Sequence, residues 1–230
     1  MSRTGMKTGA RTWARVLLVV MGLALICLGP WKAMAFEHNL DLPLCGELDV
    51  DLGIADQAWS NDRWQIYEDK GALYDVGWCG ETSIQMAAAR FGLDVSQLEV
   101  HNASAPPTPD IFYREDILRA LEALGLGYEE WDASGSPEFE AFKAWVLDHL
   151  KNGFPVLAGT MTREYADEKP YYHYVLLTGY NAEGLCVNTN MIGRRLIPYS
   201  VLADSSSIYF FEVDEDEGDY LGIAVNGPVQ

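Results

Sequence analysis

Basic residues are scarce in this chain. Sixteen Lys and Arg stand against 34 Asp and Glu in 230 residues, a formal net charge of −18 at pH 7. A surface of that sign repels phosphate backbones and anionic headgroups, which argues against nucleic acid and acidic lipid as partners. Histidine and cysteine are also sparse, at four each. No Cys/His pairs fall at metal-ligand spacing, so no metal is expected. A Gly-rich phosphate loop is lacking too, and nothing in the sequence calls for an organic cofactor. Internal repeats and low-complexity linkers are missing, which excludes solenoids and tethered arrays. Long apolar runs are missing as well. The run Val16 to Leu28 has 13 residues, against the roughly 20 needed to span a bilayer.

That short run reads as part of a leader. Arg3, Lys7, Arg11 and Arg15 precede it, and Ala33-Met34-Ala35 supplies an A-x-A cleavage site before Phe36. Residues 1–35 therefore read as a secretory signal peptide. Residues 36–230 are left as one exported domain, periplasmic or secreted, with no stable membrane insertion after cleavage. Five of the sixteen basic residues and none of the acidic ones lie in the leader. The remaining 195 residues thus hold 11 basic against 34 acidic groups, about −23 by formal count. They also hold three cysteines, Cys45, Cys79 and Cys186. An odd count in an oxidising compartment leaves at least one thiol unpaired. Cys45 can pair with Cys186, leaving Cys79 free; the alternative is that all three are reduced and Cys186 is a buried strand residue.

Periodicity sketches the rest. Ile84, Ala87, Ala88 and Phe91 recur at helical spacing from Glu81 to Phe91, with Gly92 as the stop. A second helix is expected after Pro109-Asp110, with Ile117, Leu118, Leu121 and Leu124 as its stripe and Gly125 as its end. A third runs from about Pro137 to Leu150, closed by Gly153. Strands follow at 155–159, 173–180 and 185–190, the last two joined by the turn Asn181-Ala182-Glu183-Gly184. Arg195–Ile197 and Ile208–Val213 add more. Residues 36–60 show no period and are expected to wrap the surface, and 214–219 to form a solvated acidic tail. Helices first and an antiparallel sheet later make the class α+β.

Within this frame, Gly77-Trp78-Cys79-Gly80-Glu81-Thr82-Ser83 places a cysteine at a helix start, where the local partial positive charge favours thiolate. His173 opens a strand 94 residues later. A strand-borne histidine can take the thiol proton and return it to a leaving group. The ring's second nitrogen then needs an acceptor that fixes its tautomer. With Tyr180 opposite Leu185, an unbroken ladder sets Asn190 opposite Val175 and Asn188 opposite Leu177. Both asparagines then share the face of His173, Asn190 nearer, and Thr189 faces the other way. Trp78 and Tyr171-Tyr172 are expected to line the cleft, with 163–169 as an exposed loop beside it.

The elements Cys79-Gly80-x-Thr82-Ser83-x-x-Met86, Gly92, Gly153-x-Pro155-Val156, His173-Tyr174-Val175 and Gly179-Tyr180 occur in the order and spacing of a known family. Over residues 62 to 190 the chain resembles the peptidase C39-like branch of the papain-like cysteine peptidases. The resemblance implies a papain-like α+β fold, with an N-terminal nucleophile helix packed on an antiparallel sheet. It implies Cys79 as nucleophile and His173 as base and then acid, while the strand register makes Asn190, or else Asn188, the expected third residue. Many members carry Asp near the position of Thr189. The family also places a glutamine shortly before the nucleophile; here the nearby candidate for that oxyanion role is Gln65, fourteen residues upstream, beside the N–H of Cys79 itself. The expectation is an exported thiol hydrolase cutting an amide bond of a peptide or protein through an acyl-enzyme. The alternatives are a thiol acyl-transferase or amidase, and a non-catalytic module binding a peptide or glycan.

Overall fold

The fold is seen in a computed structural model, which describes residues 42–59, 65–69, 72–108, 110–132, 138–163, 170–213 and 219–229, with backbone alone at 65–69 and 72–76. The leader expected over 1–35, the loop 164–169 and the tail 214–218 lie outside the described residues. Numbered in chain order, the elements are β1 (Val50–Asp51), β2 (Gln65–Asp69), β3 (Ala72–Val76), α1 (Cys79–Arg90), α2 (Gln97–Ser104), α3 (Arg114–Ala123) and β4 (Leu126–Glu130). Next come α4 (Phe139–Lys151), β5 (Val156–Thr162), β6 (Tyr171–Tyr180), β7 (Gly184–Asn188), β8 (Arg194–Pro198), α5 (Tyr199–Leu202), β9 (Tyr209–Phe211) and β10 (Gly222–Pro228).

Among the described residues one eight-stranded sheet runs β4-β10-β5-β6-β7-β8, with β1 on β6 and β9 on β5; β2 and β3 pair separately. The pairings are antiparallel. Helix α1 is buried on nearly every side, from Cys79 to Ser83 and again at Ile84, Met86, Ala87 and Ala88. It packs with α3 against one sheet face, where Tyr174, Leu176 and Ile223 project. Helix α4 covers the opposite face, where Phe142 stacks on Tyr220 at 4.8 Å and joins Val175, Leu177 and Phe211. Alternation along β6 thus divides the molecule into two cores.

Several elements escaped the sequence, among them the short strands β1 to β3 and the single turn α5. Helix α2 is short, yet the chain advertises it through a capping box at Ser96 and Glu99. Strand β4 and the terminal strand β10 are irregular, β10 carrying a bulge between Val225 and Gly227. The segment 42–56, expected to wrap the surface, is a strap hydrogen-bonded along the β6–β8 edge. Leu196 N–H donates to Pro43 O at 2.8 Å, Asp49 N–H to Tyr180 O at 2.9 Å, and Leu52 N–H to Thr178 O at 2.9 Å. A Cys45–Cys186 disulfide fastens its start, leaving Cys79 free.

Candidate active site

Helix α1 begins at Cys79 because Gly80 allows it to. A Cβ on Gly80 would lie 2.9 Å from the carbonyl oxygen of Ile111, so the first turn can approach that loop only without a side chain. Thr82 adds a bond from its hydroxyl to Trp78 O and one from its N–H to the same oxygen. The thiol is left facing the backbone N–H groups of Tyr174 and Gly80. Tyr174 directly follows His173 in β6, so the thiol lies against the backbone of the residue next to the histidine.

The electrostatics differ from the helix-dipole expectation. Burial, helped by the carboxyls of Asp110 and Glu81, pushes the Cys79 thiol up to about 12 against the pull of the N–H groups of Tyr174 and Gly80. Removal from water outweighs the helix N-terminus, and the resting group is a thiol. Glu81 is itself fully buried and pushed up to about 8, chiefly by desolvation. Asp110 rises to about 7 by burial and by the nearness of Glu81. One Glu81 oxygen receives the N–H of Ile111 at 3.0 Å and pairs with His101 Nδ1 at 2.9 Å. His101 in turn stacks on Trp78 at 4.8 Å. Trp78 is therefore a buried wall and not the cleft-lining ring expected. Tyr171 is half exposed, near-equal to Phe112 and Tyr113.

His173 is buried, with Trp59 edge-on at 5.8 Å. Its Nε2 is 2.9 Å from the carbonyl oxygen of Thr189. A carbonyl only accepts, so Nε2 carries the hydrogen, and in the neutral ring Nδ1 is the basic nitrogen. The acceptor is thus the main chain of Thr189 and not an asparagine side chain. The reason is a bulge. Tyr180 pairs with Leu185 as expected, but the register shifts between Leu177 and Gly179, and Asn188 falls opposite Leu176. One extra residue sends both asparagines to the face of α1. Asn188 donates to Ile54 O at 3.1 Å and accepts from Thr178 at 2.9 Å. Asn190 donates from Nδ2 to Cys79 O, Ser83 Oγ and Tyr174 O at 3.3, 3.3 and 3.4 Å, while its Oδ1 is buried without a hydrogen-bond partner.

Two oxyanion expectations meet different fates. The N–H of Cys79 is donated to Gly77 O at 2.9 Å, so it must turn before it can serve an oxyanion. The long spacing of Gln65 is bridged by the β2–β3 pair, which sets its Cα opposite Val76, three residues before the nucleophile. Sequence reasoning missed Asp56, whose Oδ1 accepts the N–H of Asn190 at 3.1 Å. Its segment shows no period, so no pattern could have flagged it. A small cleft beside the imidazole is lined by Leu42, Thr162, His173, Thr189, Met191, Ile192 and Tyr209. A larger cavity of about 360 Å³ lies between Ile54, Met86, Arg90 and Val95, and neither Cys79 nor His173 lines it. Among the described residues no group of three or more His, Cys, Asp and Glu is arranged to hold a metal ion.

Helix α1, which opens on Cys79, packs against an antiparallel sheet that carries His173, the layout of a papain-like α+β fold. The model of the Peptidase_C39 like family matches residues 63–191, more than half of the chain, and the chain belongs to that family. The chain is also similar to two solved structures. One is the peptidase domain of Streptococcus ComA, a bi-functional ABC transporter involved in a quorum-sensing pathway, at 11% identity and a TM-score of 0.45, covering 75% of this chain and 96% of that one. The other is a C39-like peptidase from Bacillus anthracis, at 14% identity and a TM-score of 0.45, covering 80% and 100%. No curated protein matches.

Proposed function

We propose that this protein is an exported cysteine peptidase in which Cys79 attacks the carbonyl of a peptide or protein amide and His173 moves the proton. Family membership supports the peptidase class. The observation that carries the residue assignment is the His173–Thr189 hydrogen bond, which leaves Nδ1 as the base. Because the resting thiol is pushed up to about 12, proton removal accompanies attack and no standing ion pair precedes it. Sulfur bonds to the carbonyl carbon, and the thiol proton passes to Nδ1 and then to the leaving amine. Water next attacks the thioester, giving its proton to the same nitrogen, and as the C–S bond breaks that proton returns to the sulfur of Cys79, releasing the acid and restoring thiol and neutral imidazole. Gln65 is the proposed side-chain donor to the oxyanion, with the N–H of Cys79 once it leaves Gly77. Asn190 braces the nucleophile turn. The exposed rings of Phe112, Tyr113 and Tyr171 offer a substrate rim. Export rests on the leader motif in residues 1–35; among the described residues no helix is long and apolar enough to cross a membrane.

The test is alkylation of Cys79 by iodoacetamide, localised by peptide mass mapping, from pH 5 to 10. The expected result is a rate that rises through the imidazole range and drops at least tenfold in His173→Ala. The burial and neutrality of the thiol favour one second reading, a non-catalytic peptide- or glycan-binding module. Labelling indifferent to His173 selects it.

A further inference from the structure

The acceptor of the His173 proton, Thr189 C=O, and the N–H of Asn190 belong to one peptide group. Among the described residues every peptide bond is trans, so the two dipoles point in opposite directions across that amide. His173 Nε2 stands on the oxygen side at 2.9 Å. Asp56 Oδ1 stands on the nitrogen side at 3.1 Å. We propose that Asp56 is the positioning residue for His173, acting through the Thr189–Asn190 peptide. This rests on the reading of Cys79 and His173 as nucleophile and base.

The physical case is polarisation. A carboxylate drawing on an N–H pushes amide electron density toward the oxygen, which becomes a stronger acceptor for the imidazole N–H. When His173 takes the thiol proton, the imidazolium is stabilised by an anion one amide away. A side-chain carboxylate touching the ring would do the same directly. The intervening turn is held rigid: Thr189 Oγ1 donates to Gly193 O at 2.9 Å and receives the N–H of Ile192 at 3.0 Å. On its other side Trp59, three residues after Asp56, donates its N–H to Asn190 O at 3.0 Å and sets its ring against His173.

The carboxyl belongs to the strap, and its surroundings are mixed. Desolvation is the larger effect and raises it to about 6, while the N–H of Asn190 and the charges of Arg194 and Arg195 of β8 favour the carboxylate, and Tyr209 of β9 faces it. It is an anion above that value and the polarisation fades below it.

Asp56→Asn keeps an acceptor for the Asn190 N–H and removes the charge, so a merely structural role predicts an unchanged pH profile. The expected result is a thiol-labelling profile displaced downward by at least half a pH unit, because the imidazolium loses its anion, and labelling at pH 7 slowed at least about twofold because the base is weaker, with the melting temperature little changed. A profile superimposing on that of the unaltered protein, while His173→Ala still slows labelling, overturns this inference alone. Labelling indifferent to His173→Ala overturns the catalytic reading and the inference together. A second measurement covers an Asp56→Asn variant that does not fold. The Asp56 carboxyl carbon is titrated by NMR in the unaltered chain and in His173→Ala; coupled groups shift each other reciprocally. The midpoint is expected to move by at least half a unit, and an unmoved midpoint overturns the inference.

Discussion

The side-chain amide of Asn190 donates to the main-chain carbonyl of Cys79 at 3.3 Å, tying the turn that carries Cys79 to β6 through a further bond to Tyr174 O. Asn190 sits at φ +49°, a left-handed conformation that asparagine adopts more readily than other residues with a Cβ. Asn190→Ala strips buried carbonyls of their donor and strains the turn. The expected loss is about 2–3 kcal/mol of unfolding free energy, read from urea denaturation, with the His173-dependence of thiol labelling retained in the fraction that folds.

Buried carboxyls set the pH dependence of stability. Glu81 rises to about 8 and Asp110 to about 7 from ordinary values near 4. Between pH 4 and 8 the folded chain therefore binds more protons than the unfolded one, and stability falls as pH rises through that window. The melting temperature is expected to be higher at pH 5 than at pH 8. Glu81→Gln keeps an acceptor for Ile111 N–H and cannot ionise, so it should raise the melting temperature at pH 8 and change it little at pH 5. Equal effects at both values contradict the assignment.

How far the chain could be read from its residues follows from the same details. Helix α1 and the strand-borne His173 were legible because apolar period and motif order survive in one dimension. The facing of Asn188 and Asn190 was not, since a bulge between Leu177 and Gly179 leaves no mark in the alternation that β6 and β7 display. Asp56 was invisible for another reason. A strap that bonds through its backbone needs no hydrophobic pattern, so 42–56 reads as unstructured. The thiol was misjudged in sign because a helix N-terminus is local, whereas the burial that opposes it depends on the whole core.

Gly80 gives a sharp steric test. An added Cβ meets the Ile111 carbonyl at 2.9 Å and the Ile111 side chain at 3.0 Å, and a main-chain oxygen cannot step aside as a flexible side-chain end can. Gly80→Ala should lower stability by about 1–3 kcal/mol and shift the first turn that carries Cys79. The expected signature is thiol labelling changed in rate at every pH, with the midpoint of its profile held, since the base is untouched.

The Cys45–Cys186 disulfide closes a loop of 141 residues in sequence separation. A link of that span restricts the unfolded chain strongly, and its removal is expected to cost about 3–5 kcal/mol. Its placement adds a functional consequence. Cys45 opens the strap that ends in Asp56 and Trp59, and the Cys186 sulfur is 3.3 Å from an Arg194 guanidinium nitrogen that also pairs with Asp51 at 2.6 Å. Loosening the strap frees both the carboxylate beside Asn190 N–H and the ring beside His173. A Cys45→Ser/Cys186→Ser double variant should therefore melt lower and, in its folded fraction, label Cys79 with the same downward displacement as Asp56→Asn. A variant that melts lower yet keeps the original profile shows that the backbone bonds to Tyr180 and Thr178 hold Asp56 in place without the covalent link.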